Sequence, residues 1–529
     1  MRSIGWLMCG AVVLGCGGRP SGWDQNFTPN SQNGLQAAYG LTGSVAVLDQ
    51  PLGRVTLLRS PSALNLSAES FDLGRDLAAT QTSADQQTLF LLSRGVQPQR
   101  NPDDEPPQLM LIDGGTSPSI KQKYKLNQPV DSLAVDPQND WAVVYSGSGV
   151  VVNQNELGFV DLHKSDTDAD AVIFHTLRSF GTSPNRLTFT DPLAIPGGDS
   201  RRFLIVERDT DIALVDLLNP DGSEVTVPLP SADNGGTGSS AQVVYGQDAD
   251  AGAFIGVRVT GSSSVFVLQL GAPTQDGTAF SVVTNLVDVG GFASTIDFVR
   301  TSQGLRMMAL VGQNAVLVDP VTAISSTRAL PAAFDGIRRI TTAIDPTADA
   351  SDVDVALLYG SKTTQIAYFR LDISADSSAE SLDASNIGVA VTQVIDVPGD
   401  AFHDRKILAT PGQKFYVLNL TTRQTAPMNT TTGLTLNVAP EGERVWAYQP
   451  GSPGFATVDF QTLHPVSLIA ERAVNSVYEI DAANGARNAI ALHFGNGYSG
   501  GIGATVVDVS APSTATARFF SGIELGGIQ

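Results

Sequence analysis

Cysteine is nearly absent from this chain of 529 residues: there are two, Cys9 and Cys16, both within the first sixteen positions. Whatever folds beyond residue 16 has no thiol for a disulfide, a metal or a nucleophile, so packing must stabilise it. Basic residues are scarce as well, 32 against 53 acidic ones, which gives a formal charge of −21. That balance excludes nucleic acid as a partner, because phosphate binding depends on Lys and Arg displacing counterions. Charge of either sign amounts to 16% of the chain, against about 25% in ordinary globular proteins. The polar surface therefore falls to Ser, Thr, Asn, Gln and Gly. The five histidines, His163, His175, His403, His464 and His493, are scattered, and no H-E-x-x-H or other metal-ligand spacing occurs. Long helical runs with caps are missing too, which disfavours alternating βα architectures.

One apolar run stands near the start. Arg2 precedes Ile4 to Gly15, twelve residues that are too few to span a bilayer, where about 20 are needed. Twelve suits the core of a signal peptide, which runs about 7–15 residues. The run ends in Val13-Leu14-Gly15-Cys16. This resembles the lipobox of bacterial lipoproteins, in which an aliphatic residue and two small or apolar residues precede a cysteine that receives diacylglycerol. The resemblance implies a signal peptide over residues 1–15, a lipidated Cys16, and anchorage to the cell envelope through the membrane. Cys9 is a poor rival because Trp6, Leu7 and Met8 precede it. Gly17 departs from the Asp that retains such lipoproteins in the inner membrane, so the outer membrane is the expected location. Residues 17–42, rich in Gly, Ser, Asn, Gln and Pro, read as a flexible tether.

Beyond it a repeat appears. Three to five apolar residues, often β-branched, close on Asp or a close substitute, as in VAVLD (45–49), LMLID (109–113), ALVDL (213–217), AVLVDP (315–320), FYVLNL (415–420) and TVVDV (505–509). The closing residues fall at 49, 113, 161, 216, 269, 319, 372, 419, 459 and 508, so the spacing is 64 and then 40 to 55. Each interval holds further short strand-like runs split by Gly, Pro, Asn or Asp. Four strands in about 50 residues describe a β-propeller blade. The recurring Asp is expected where a third strand turns into a fourth, its carboxylate accepting from backbone N–H groups two residues on.

The chain thus resembles bacterial repeat propellers with YVTN-type or lactonase-like blades, and the resemblance implies an all-β fold over residues 43–529. The Trp-Asp dipeptide of WD40 blades occurs only at Trp23-Asp24, in the tether. Of the tryptophan motifs of quinoprotein dehydrogenases nothing is present, since only Trp141 and Trp446 lie beyond residue 42. Eight to ten four-stranded antiparallel blades in one ring are expected, with two smaller rings as the alternative. Residues 43–73 are expected to complete a blade with the C-terminal strand, and 373–388 reads as a loop within a blade.

Two catalytic patterns overlap at residues 495–503. Gly495, Gly497 and Gly500 fit G-x-G-x-x-G, and Gly497-Tyr498-Ser499-Gly500-Gly501 fits G-x-S-x-G. Both need a strand, a turn and then a helix. Here the strand-like IGATVVDVS (502–510) follows, and no histidine comes after Ser499. The stretch reads as a hairpin loop. Asp166, Asp168 and Asp170 form a candidate Ca2+ loop, because alternating carboxylates can turn toward one ion. Ala171 and Leu177 replace the EF-hand Gly and Glu, so ligands would have to come from a second loop, that of Asp248 and Asp250. No other cofactor is expected. Arg201-Arg202 and Arg338-Arg339 each follow a turn and read as solubility or local pairing.

Three functions fit: a binding or scaffold propeller for an envelope protein or glycan, a lactonase-like hydrolase with its site at the central channel, or a structural envelope component. A Cys16→Ser chain is expected to leave the membrane fraction or to accumulate as uncleaved precursor. Fractionation and intact mass indistinguishable from wild type would overturn the lipidation reading.

Overall fold

The computed structural model describes residues 37–49, 53–147, 153–178, 183–236, 238–248, 250–272, 280–340, 354–371, 380–398, 402, 404–428, 434–439, 442–494, 503–510, 512 and 517–523. Among them are forty strands and no α-helix. They form ten four-stranded antiparallel sheets, each built from four consecutive strands. Blades 1 to 10 cover residues 37–72, 77–125, 132–176, 186–228, 240–288, 295–329, 336–386, 393–427, 435–474 and 476–520.

Packing explains why the strands look as they do. Ten hydrophobic clusters fill the molecule, and each draws its buried side chains from two neighbouring blades. Along a middle strand successive side chains go to opposite seams. In Ser44–Asp49 of blade 1, Val45 and Val47 pack on blade 10, whereas Ala46 and Leu48 pack on blade 2. In blade 5, Ala253 and Ile255 face blade 4, and Phe254 faces blade 6. A strand buried on both faces reads as a continuous apolar run. Fourth strands are different: Ser119–Lys125 alternates exposed and covered residues because one of its faces meets water.

The seams run from each blade to the next and return from blade 10 to blade 1, so the fold is one closed ten-bladed β-propeller. At the closing seam Ile490, Leu492 and Val506 pack on Val45, Val47 and Leu58. Tyr478 Oη there donates to Ala38 O at 2.8 Å. No blade is shared between the two ends of the chain. The expected completion of residues 43–73 by the C-terminal strand is therefore corrected: blade 1 supplies its own four strands, as does blade 10. Residues 37–40, which fall in the stretch read as a tether, are strand. Ala37–Gly40 pairs with Val45–Leu48 as the first strand of blade 1, and its Ala and Tyr side chains fill the inner ends of both adjacent seams.

Six of the ten repeat anchors do what the sequence suggests. The carboxylates of Asp113, Asp161, Asp216, Asp319, Asp459 and Asp508 each accept from the backbone N–H two residues on, at the turn from third to fourth strand. Asn419 accepts from Thr422 N, three residues on. Asp49 differs because it ends the second strand of blade 1, and Gln269 lies within the third strand of blade 5, its Nε2 donating to Ala251 O; Asp372 lies outside the described residues. The shift of Asp49 explains the long first interval of 64. Glu380–Asn386 is the fourth strand of blade 7, so the later half of 373–388 is sheet; residues 373–379 lie outside the described set. The flanks of the 495–502 stretch, itself outside that set, are antiparallel strands with His493 opposite Gly503. A strand-turn-helix context is thereby ruled out.

Gly40 tests the closing seam. A Cβ there would stand 2.6 Å from the ring of Tyr478, too close without movement. Gly40→Val is expected to cost about 1–3 kcal/mol, lowering the urea midpoint with the slope unchanged.

Candidate functional site

The antiparallel order fixes what each face of the ring carries. Turns from first to second strand and from third to fourth lie together on one face, here the turn face. The remaining connections lie on the other, here the entry face, because the first strand of every blade starts there. Hydrogen bonds between turns of adjacent blades confirm the assignment: Thr42 N donates to Gln86 O and Gly43 N to Gly114 O.

The turn face is acidic. Its described third-to-fourth turns hold Asp113, Asp161, Asp166, Asp168, Asp170, Asp216, Asp221, Asp319, Asp459 and Asp508, against Lys164 and Arg423. The entry face mixes Arg75, Arg94, Arg100, Arg178, Lys362 and Lys414 with Asp76, Asp103, Asp104, Glu105, Asp131, Asp209, Asp233 and Asp335.

The candidate calcium loop sits on the turn face as the hairpin tip of blade 3. Each of its carboxylates is engaged by a different donor. Asp166 Oδ2 accepts from Lys123 N at 2.9 Å, Asp168 Oδ2 from Ser165 N at 2.9 Å, and Asp170 Oδ2 from Lys164 Nζ at 2.7 Å. Asp248 belongs to blade 5, two blades away, and accepts from Asp250 N, Ala251 N and Leu305 N. The two loops are not brought together. Among the described residues no three His, Cys, Asp or Glu side chains group as a metal site. Cys16 lies outside those residues.

The arginine pairs serve local pairing. Arg201 meets Asp216, and Arg202 reaches across the seam to Asp136 and to Asp140, the latter at 2.6 Å. His175 is buried and lies 2.9 Å from Glu224 Oε2 across the seam of blades 3 and 4. His493 is buried between Ala473 O and Thr505 Oγ1. His163 pairs with Asp140 at 2.8 Å on the surface.

The inner wall is the second candidate surface. First strands there are half-exposed, as in Ala37–Gly40 and Leu77–Thr82. Ten sheets packed face to face about 10 Å apart close a ring roughly 30 Å across, backbone to backbone. First strands of blades 1, 2, 3 and 9 are uncharged, those of blades 4 and 5 carry one charged residue each (Arg186, Asp248), and that of blade 10 carries Glu479 and Asp481. Charge gathers on blades 6 to 8, where first strands bring Asp297, Arg300, Arg338, Arg339 and Asp396 to one arc. Arg338 pairs with Asp396 of the next blade, and buried Lys406 behind it reaches Asp396 Oδ1 at 2.7 Å. Arg339 lies 4.0 Å from Asp354 Oδ2, which also accepts from Arg300 N at 2.8 Å.

Burial perturbs this arc. It pushes the Asp297 carboxyl up to about 6 against the pull of Arg339 and Arg338. Burial, helped by Arg338, brings the Lys406 ammonium down to about 8. Shifted groups of this kind gather where proteins bind or react. Sequence reading missed Asp297, Asp396 and Lys406. The available signal was a charge inside a short apolar first strand, as in Thr-Ile-Asp297-Phe-Val or Val-Ile-Asp396.

No family model matches this chain, and no curated protein matches it. Solved structures similar to it include the dihydro-heme d1 dehydrogenase NirN, at 12% identity and TM-score 0.41 over 68% of this chain and 70% of that one. AztD from Citrobacter koseri is similar at 10% and 0.34 over 73% and 96%. A eukaryotic initiation factor is similar at 9% and 0.41 over 90% and 93%. These likenesses carry no argument about function. The class of protein is set by the ring itself, a ten-bladed β-propeller.

One buried acid yields a pH test. Glu479, on the first strand of blade 10, accepts from Trp446 Nε1 at 2.9 Å, with Arg444 at 3.6 Å. Burial nonetheless pushes its carboxyl from 4.5 to about 7. The folded state therefore keeps a proton that the unfolded chain releases between those values, and this residue subtracts stability as pH rises through that window. Glu479→Gln keeps an acceptor for Trp446 without the titration. It is expected to gain about 1–3 kcal/mol over wild type at pH 8 and little at pH 4.5, read from urea midpoints.

Proposed function

We propose that this chain is a lipid-anchored envelope propeller that acts by binding, as a scaffold for a protein or glycan partner, rather than by catalysis. The anchor reading rests on Val13-Leu14-Gly15-Cys16, and the outer-membrane reading on Gly17. The binding reading is carried by the unequal charge of the two faces. Ala37 begins its strand on the entry face, so a tether over residues 17–36 leaves from the side of mixed charge. In this arrangement the mixed face turns toward the bilayer, and the acidic turns point away from anionic headgroups that would repel them. A rigid ring that holds its variable turns outward suits recognition, since blades fix the frame and loops carry the contacts. The partner that complements such a face is basic.

The test is retention of envelope partners by the chain lacking residues 1–16, compared with the same chain carrying Asp166→Asn, Asp168→Asn and Asp170→Asn. A partner from detergent-solubilised envelope that elutes with salt and is weakened by the triple change is expected. Recovery that ignores both salt and the triple change would refute a role for the turn face, and no recovery at all would refute the binding reading.

A further inference from the structure

On blades 6 to 8, unlike elsewhere in the ring, first strands carry arginines and carboxylates together: Asp297, Arg300, Arg338, Arg339 and Asp396, against Arg186 on blade 4, Asp248 on blade 5 and two acids on blade 10. The first strands of blades 1, 2, 3 and 9 carry no charged residue at all, so the fold does not require one at this position. On blade 7, Gly336–Ile340 places Arg338 and Arg339 side by side. Adjacent residues of a strand point to opposite sides. Arg338 accordingly reaches forward to Asp396 on blade 8, and Arg339 reaches back toward Asp354. Both arginine side chains stay accessible, at 46% and 40%, beside the channel.

Charge within the arc is not evenly matched. Arg338 and Lys406 share one carboxylate, that of Asp396. Lys406 is almost wholly covered, so water screens its repulsion by Arg338 weakly. On the other side Asp354 is already held by Arg300 N, and Arg339 stands at the outer limit of an ion pair with it. Counted with Arg300 and Asp297, four cations meet three carboxylates, so one positive charge in excess and a guanidinium 4.0 Å from its partner face an accessible wall. An added oxyanion would relieve the first and engage the second, because a guanidinium fork matches two oxygens of a carboxylate or phosphate. Tyr359 on blade 7 lies within the field of Arg338 and offers a half-buried ring, whereas Tyr245 on blade 5 packs into the seam with blade 4 and donates to Asp191 at 3.3 Å.

We infer that the channel wall of blades 6 to 8 is a binding site for a small solute bearing an oxyanion group, held by Arg338 and Arg339. The inference rests on the binding reading of the propeller and gives it a ligand class. Asp297, beside both arginines, limits the charge of the ligand, since a fully ionised acid there would repel a second anionic group.

The experiment is calorimetric titration of the chain lacking residues 1–16, in low-salt buffer, with acetate as the carboxylate probe and inorganic phosphate as the other. Saturable binding of at least one probe is expected, and the preferred probe identifies the oxyanion. Arg338→Gln and Arg339→Gln are each expected to weaken it about tenfold or more. Arg186→Gln should leave it unchanged, because that arginine lies on blade 4 and pairs at 2.5 Å with Glu207. Far-ultraviolet circular dichroism and melting temperature show whether each variant is folded. No saturable heat with either probe would overturn the site, as would equal loss in the Arg186 variant. Neither outcome bears on partner retention by the turn face, so failure here is distinct from failure of the scaffold reading.

Discussion

Every blade of this protein has to bury both of its faces, and most of the structure follows from that requirement. A four-stranded sheet with apolar side chains on two sides is insoluble alone, and one neighbour covers only one side. Ten such sheets satisfy all their faces only if the last packs on the first. The seam at which Tyr478 meets Ala38 is therefore as necessary as the nine seams between sequential blades. Aromatic side chains supply much of the filling: Phe203 and Phe280 meet edge to face at 4.7 Å between blades 4 and 5, and Trp446 is fully buried between blades 9 and 10. With no cysteine beyond residue 16, the ring has no covalent staple, and its closure depends on these contacts.

Polar seams add selectivity to the apolar ones. Arg202 on blade 4 meets Asp136 and Asp140 on blade 3, and His175 meets Glu224 across the same seam nearer the rim. Burying such groups brings little net stability, but a wrong neighbour would leave them unpaired. They help decide which blade packs on which in a chain whose repeats are otherwise alike. Glu479 carries the opposite sign: Trp446 and Arg444 do not offset its burial, and the seam of blades 9 and 10 is weakened by its ionisation.

Middle strands made the fold legible in the sequence, because two-sided burial writes them as unbroken apolar runs ending in a turn-forming Asp. First strands left no such trace. Ala37-Ala-Tyr-Gly40 is short and half-exposed, and its blade lacks an Asp at the third strand, so residues 37–40 read as tether. A single ring was legible in the repeat, but not the manner of its closure: blades 1 and 10 each supply their own four strands and meet through contacts between positions 440 residues apart. The face charges could be read only once the turns had been assigned to sides. For the channel arc, Arg338-Arg339 was visible as a dipeptide. Its convergence with Asp297 and Asp396, about one blade earlier and one later in the chain, depends on the inner radius of the ring and not on any local pattern.

A repeat architecture offers an internal control that a single-core domain lacks. What the blades share is accounted for by folding: the apolar middle strands, the third turn capped in seven of them, the partly wetted fourth strand. What one sector alone carries is not. Uncharged first strands on blades 1, 2, 3 and 9 show that this position folds without charge, so Asp297, Arg338, Arg339 and Asp396 are departures that packing does not demand. Departures of that kind cost stability, as the raised carboxyl of Asp297 and the lowered ammonium of Lys406 indicate. Local violations of an otherwise consistent design tend to fall at functional sites. The sector of the ring where symmetry fails chemically, while holding structurally, is where the channel has its own chemistry.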